Sequence, residues 1–113
     1  MDAPNFSPPY YAVIFTSRLK ADDEAGYQAT AEKMEHLAQQ QPGYLGIQSS
    51  RSADGNGVTV SYWKDLDSIH NWKQLAEHLQ AQQTGREKWY ESYEVRIAKV
   101  ERQYSSPDRT DNV

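Results

Sequence analysis

Apolar residues recur along this chain at two spacings. One repeats every second position, the other every third or fourth, and the switches between them mark out its elements. Tyr10–Leu19, YYAVIFTSRL, is dense in β-branched and aromatic residues and predicts a strand. Tyr11, Val13 and Phe15 fall on one face and Ala12, Ile14 and Thr16 on the other. With apolar groups on both faces, this strand is expected to be central and covered on both sides. A helical stripe follows, Tyr27, Ala31, Met34 and Leu37 or Ala38, opened by Asp22 or Asp23 and stopped by Pro42-Gly43. Tyr44–Ser52 and Val58–Lys64 read as two strands of a hairpin around Asp54-Gly55-Asn56-Gly57. Asp65 or Asp67 then caps a second helix with the stripe Ile69, Trp72, Ala76 and Leu79. Gly85 offers a point of interruption before a short helical piece through Trp89. Tyr93–Tyr104 closes the pattern as a fourth strand, with Val95 and Ile97 on one parity.

The order β-α-β-β-α-β predicts an α+β, ferredoxin-like sandwich with both helices on one face of an antiparallel sheet. Nothing in the chain covers the other face, yet the first strand is apolar there too. A symmetric homodimer, sheet against sheet, is the expected solution.

Length and composition narrow the function. The chain's 113 residues suit one domain. Residues 1–9 are expected to form an extended N-terminal arm, 10–104 the domain, and 105–113 a polar, poorly ordered tail. Hydrophobic residues make up only 37%, but their periodicity argues for a folded core. The formal charge of −4 has Lys and Arg interspersed with carboxylates, so no basic stripe is available for nucleic acid. No apolar run approaches the ~20 residues of a membrane span, and the first residues lack the basic and apolar regions of a signal peptide. With no cysteine there is no thiol nucleophile and no Cys-based zinc site, and a cytoplasmic location is expected.

Candidate chemistry concentrates between Ser61 and Tyr104, which holds all three tryptophans and two of the three histidines. His78 is the leading candidate for proton transfer, since an imidazole titrates near neutrality. It stands beside Glu77, one position off the Trp72–Ala76–Leu79 stripe; the plainer alternative is a structural hydrogen bond. Trp72, on the stripe, can wall a planar ligand or simply fill the core. Trp63 and Trp89 suit packing or an interface. Tyr62, Tyr90 and Tyr93 can offer hydroxyls. His36 and His70 fall on polar helix faces. No second acidic cluster complements Glu32, Glu35 and His36 at metal-ligand spacing, so no metal is expected. Gly55 and Gly57 form a hairpin turn and precede no helix, which excludes a phosphate loop.

Several of these strings resemble the antibiotic biosynthesis monooxygenase superfamily. They are YYAVIFTSRL, Gly26-Tyr27, Ala31-Glu32-Lys33-Met34, Gln41-Pro42-Gly43-Tyr44-Leu45-Gly46, Tyr62-Trp63, Trp72-Lys73, Glu77-His78, Ala81-Gln82, Gly85-Arg86 and Trp89-Tyr90. Within the superfamily the chain is most similar to a bacterial subgroup of small proteins of undefined substrate. The resemblance implies a dimeric α+β barrel. By analogy with cofactor-free members, it also implies a monooxygenase that oxidises a phenol- or quinol-like small molecule in a pocket between helices and sheet. Ser17, Trp63, Trp72 and Tyr93 would face that pocket and His78 would take the proton. The rival reading is a non-catalytic ligand-binding or stress-response dimer.

Heme-degrading relatives use an Asn on the first strand, a Trp on the second helix and a His ten residues beyond it. Here Ser17 stands for the Asn, Trp72 matches the Trp, and Gln82 occupies the His position. That set is incomplete, and no cofactor is expected.

Overall fold

The computed structural model describes residues 6–20, 24–82 and 90–106. Its elements are β1 (Tyr10–Leu19), α1 (Glu24–Gln39), β2 (Tyr44–Arg51), β3 (Asn56–Trp63), α2 (Leu66–Gln82) and β4 (Tyr90–Val100). The strands form one antiparallel sheet in the order β2-β3-β1-β4, with β1 central beside β3. This is the ferredoxin-like α+β arrangement that the alternation of periods predicts.

Register decides what each face carries. Val13 lies opposite Ser61 and Ile97, and Phe15 opposite Thr59 and Val95. Directly opposed residues share a face, so the odd-numbered residues of β1, β3 and β4 look toward the helices. The core sits there, built on Ala38, Trp63 and Ile69, with Tyr11, Val13, Tyr44 and Trp72 packed against it. Trp63 is 0% exposed. Its indole N–H donates to Ser61 Oγ at 2.9 Å. Its ring stacks on Trp72 at 6.1 Å and takes the edge of Tyr44 at 5.7 Å.

On the outer face Tyr10 and Ala12 are only 3% and 5% exposed. Part of the cover is the chain's own arm. Phe6 meets Tyr10 edge-on at 4.6 Å and Tyr62 at 5.5 Å. Tyr10 Oη donates to Gln103 Oε1, and Gln103 Nε2 donates to the Phe6 carbonyl. The ring also packs over Gly46, where a Cβ would stand 3.4 Å from Phe6, at ordinary contact distance. Burial pushes the Tyr10 and Tyr62 phenols up from their ordinary values. Beyond the arm the same face carries Ile14, Val58, Val60 and Ala98.

β2 and β3 each end one residue earlier than expected, at Arg51 and Trp63, and larger differences fall on β4 and on the start of β3. β4 runs from Tyr90 to Val100, not from Tyr93 to Tyr104, because its partner sets its length: Val100 pairs with Tyr10, the first residue of β1, and Tyr90 with Leu19, its last. β3 begins at Asn56, not Val58, because the turn is complete at Gly55, whose φ of 94° suits a glycine. Of the two proposed caps for α2, Asp65 is used, its Oδ1 accepting the Ser68 backbone N–H at 2.8 Å. Asp22, Asp23 and the Gly85–Trp89 piece lie outside the described residues.

The hairpin is tied by Asp54, which accepts from the Ser52 hydroxyl, from the Asn56 backbone N–H at 3.0 Å and from the Asn56 side-chain amide at 3.1 Å. These bonds favour the carboxylate and lower its pKa from 3.8 to about 2; Ser68 lowers that of Asp65 in the same way. A carboxyl depressed in the folded state stabilises fully above its unfolded pKa and loses that contribution as pH falls through the folded value. Stability is therefore expected to decline as pH falls from 3.8 toward about 2. Asp54→Asn should make that decline shallower in urea melts followed against pH, and a slope equal to the parent's would count against the assignment.

Candidate functional site

Between the inner sheet face and the two helices lies a cleft of about 820 Å³, within the usual range of ligand sites. It exists because the apolar stripes do not close on each other. α1 contributes Tyr27, Ala31 and Met34, and α2 contributes Trp72 and Ala76, with alanines where larger side chains would fill the gap. Val13 and Phe15 of β1 and Val95 and Ile97 of β4 line the sheet side. Val95 and Ile97 remain 51% exposed although they point inward, since they border this open space.

Aromatic rings bound the cleft. At the Trp63 end stands Trp72. Toward Ser17, Phe15 stacks on Tyr93 at 5.6 Å and takes Tyr90 edge-on at 5.5 Å. Tyr27 meets Tyr90 at 5.9 Å.

A cation stands at this second end. Arg51 closes β2 on the parity of Ile47 and Ser49 and lies opposite Gly57. Its guanidinium donates to Ser17 Oγ at 2.8 Å, to Tyr27 Oη at 3.3 Å, to the Gly55 carbonyl and, at 3.5 Å, to the Ser17 carbonyl. It also lies 5.4 Å from the centre of the Tyr27 ring, a cation–π contact. Gly57 makes the seat, because a Cβ there would fall 2.6 Å from Arg51 Cζ. Glu32, Glu35, Lys73 and Glu77 line the cleft from the exposed flanks of the helices.

The residues singled out from the sequence separate into groups. Trp72 and Tyr93 line the cleft. Trp63 lies behind Trp72 and belongs to the core. Ser17, 7% exposed, holds Arg51 and is not part of the cleft wall. His78 is exposed and outside the lining. The reason is helix phase. α2 presents Ile69, Trp72, Lys73, Ala76 and Glu77 to the cleft, and His78 is rotated about 100° past Glu77. Trp89 and the side chain of Gln82 lie outside the described residues. Among the described residues no cluster of three or more His, Asp or Glu is placed to hold a metal ion, and no helix is long and apolar enough to cross a membrane.

Phe15, Tyr27 and Arg51 were not among the expected site residues. Phe15 and Tyr27 carried only the ordinary signal of a buried stripe. Arg51 had a faint one, an arginine on the inward parity of a strand, which becomes visible only once the hairpin register is known.

Comparison with known proteins bears on both fold and family. The antibiotic biosynthesis monooxygenase family model matches residues 10–84. The uncharacterized protein YqjZ of Bacillus subtilis is 52% identical over 105 residues, covering 93% of this chain and 91% of the relative. A jasmonate monooxygenase of Pyricularia oryzae is 27% identical over 92 residues, 80% of this chain but only 43% of that protein. Among solved structures, a variant of SnoaB, a cofactor-independent oxygenase from Streptomyces nogalater, superposes with a TM-score of 0.71 at 12% identity. The match covers 88% of this chain and 100% of that one. At that identity the likeness is one of fold.

Proposed function

The chain belongs to the antibiotic biosynthesis monooxygenase family, and we propose that its helix–sheet cleft binds an electron-rich ring of the phenol or quinol kind and oxidises it with dioxygen, without a cofactor. The observation that supports this most is the cleft's pair of planar boundaries, Trp72 at one end and the stacked Phe15–Tyr93 pair at the other, a setting that suits a flat aromatic guest. The reaction balances unaided. The ring loses two hydrogens and gains one oxygen atom as a quinone carbonyl, and the second oxygen of dioxygen leaves as water. The deprotonated ring is the electron source. The protein holds the ring in place and shields the intermediate from water. Because His78 lies outside the lining, the proton passes to a carboxylate that lines the cleft, Glu32, Glu35 or Glu77.

An oxygen electrode with a panel of phenols and quinols tests this. Trp72→Ala should lower kcat/KM by at least about tenfold, whereas His78→Ala should change it by less than about twofold. Ring binding without oxygen uptake would leave a ligand-binding protein and sink the catalytic reading. The fungal relative's name adds a ring-bearing acid, jasmonate, to the compounds worth assaying. Heme degradation gains no support, since Ser17 is engaged with Arg51.

Pairing of two copies through the outer sheet face is part of the same proposal. Ile14, Val58, Val60 and Ala98 form an apolar strip that the Phe6 arm leaves uncovered. Sedimentation at micromolar concentration should return a dimer; a stable monomer would contradict this assembly. A cytoplasmic setting suits a chain without cysteine.

A further inference from the structure

We infer that Arg51 makes the cleft selective for rings bearing an oxyanion, a phenolate or a carboxylate; this rests on the cleft being a ring-binding site. Arg51 differs from its neighbours in the company it keeps. Two other arginines on the sheet have carboxylate partners, Arg18 with Glu91 at 2.7 Å and Arg96 with Glu94 at 2.8 Å. Arg51 has none among the described residues, and every group accepting its N–H donors is neutral: two hydroxyls and two carbonyls. It is also half-buried. A guanidinium in that position keeps an uncompensated charge in a medium of lower dielectric than water, where charge-assisted hydrogen bonds gain strength.

The hydrogen bonds divide by length in a way that suits a ligand. Ser17 Oγ, at 2.8 Å, and the Gly55 carbonyl hold the side chain. The contacts to Tyr27 Oη and the Ser17 carbonyl, at 3.3 and 3.5 Å, are the long ones. An oxyanion entering beside Tyr27 takes over those loosely used donors while the anchor stays in place. Gly57, by lacking a Cβ, reserves the volume the guanidinium occupies.

Opposing charges are present. Glu32, Glu35 and Glu77 also line the cleft, but they are exposed and therefore screened at physiological salt. Glu94 borders it too, but its carboxylate lies on the outer sheet face, paired with Arg96. The nearby cation also favours the deprotonated form of a bound phenol, which is the form that gives electrons to dioxygen.

Two probes at physiological salt read the two oxyanions separately. Calorimetry should show naphthoate binding the full chain at least about tenfold more tightly than naphthamide, its neutral counterpart. The yellow phenolate band of para-nitrophenol should titrate about one pH unit lower when bound than when free. A response from either probe supports the inference and names the oxyanion. Arg51→Gln should abolish the response. Because Arg51 also ties the hairpin, Gly57→Ala provides a second variant that keeps the charge but displaces the guanidinium, and it should weaken the response while the thermal melt stays cooperative.

Equal affinity for naphthoate and naphthamide, with an unmoved nitrophenol titration, overturns the inference and leaves the ring site standing. Binding of none of these rings overturns both. A preference that survives Arg51→Gln overturns the role of Arg51. Tightest binding by naphthylmethylamine would mean that the glutamates govern the cleft, and would overturn it as well.

Discussion

Trp63→Ala is expected to lose about 3–5 kcal/mol of stability, the range for deleting a large aromatic from a packed core. The side chain is fully buried. Its removal leaves a void between Tyr44 and Trp72 and takes away the donor that satisfies Ser61 Oγ. Small domains are stabilised by only about 5–15 kcal/mol in total, so one substitution of this kind brings the chain close to unfolding. A thermal melt should show Tm lower by more than about 10 °C. Trp63→Phe keeps a ring in place and should fall between parent and alanine variant. A Trp63→Ala protein melting within a few degrees of the parent would mean that the core lies elsewhere.

Gly43→Ala is the second large effect, and it arises in a loop. Gly43 has φ of 85°, and a Cβ built on it would lie 2.0 Å from Ser68 Oγ and 2.6 Å from Ser68 Cβ. The segment has little room to move away, because the Gly43 carbonyl accepts the Lys64 N–H at 2.9 Å and Ser68 is buried in the first turn of α2. Left-handed strain and overpacking together are expected to cost about 2–4 kcal/mol. A double variant separates the two. Adding Ser68→Gly should restore the steric part and leave the backbone part, so the two substitutions should be non-additive. Urea midpoints for the four proteins measure this; strict additivity would refute the contact.

The sequence conveyed the succession of elements because β1, the hairpin and both helices each agree locally with their final surroundings. YYAVIFTSRL is a strand by propensity and by place. What it could not convey was anything set by a neighbour. The limits of β4 depend on how far β1 extends beside it. Trp63 and Trp72 look alike as tryptophans, yet one is core and the other is wall, and only the position of the sheet separates them. Glu77 and His78 differ by a single step of helix phase, which assigns Glu77 to the cleft and His78 to the solvent. Val95 and Ile97 have the parity of buried residues but border an open space.

The near-parallel stack of Trp63 on Trp72, with 22° between ring planes, also has an optical consequence. Two indoles so close couple their strong far-ultraviolet transitions, so the pair should give a split circular dichroism signal in that band. One partner is locked in the interior and the other faces the cleft, so any guest that shifts Trp72 alters the coupling. The protein thus carries its own spectroscopic gauge of occupancy, one that needs no label and does not depend on turnover.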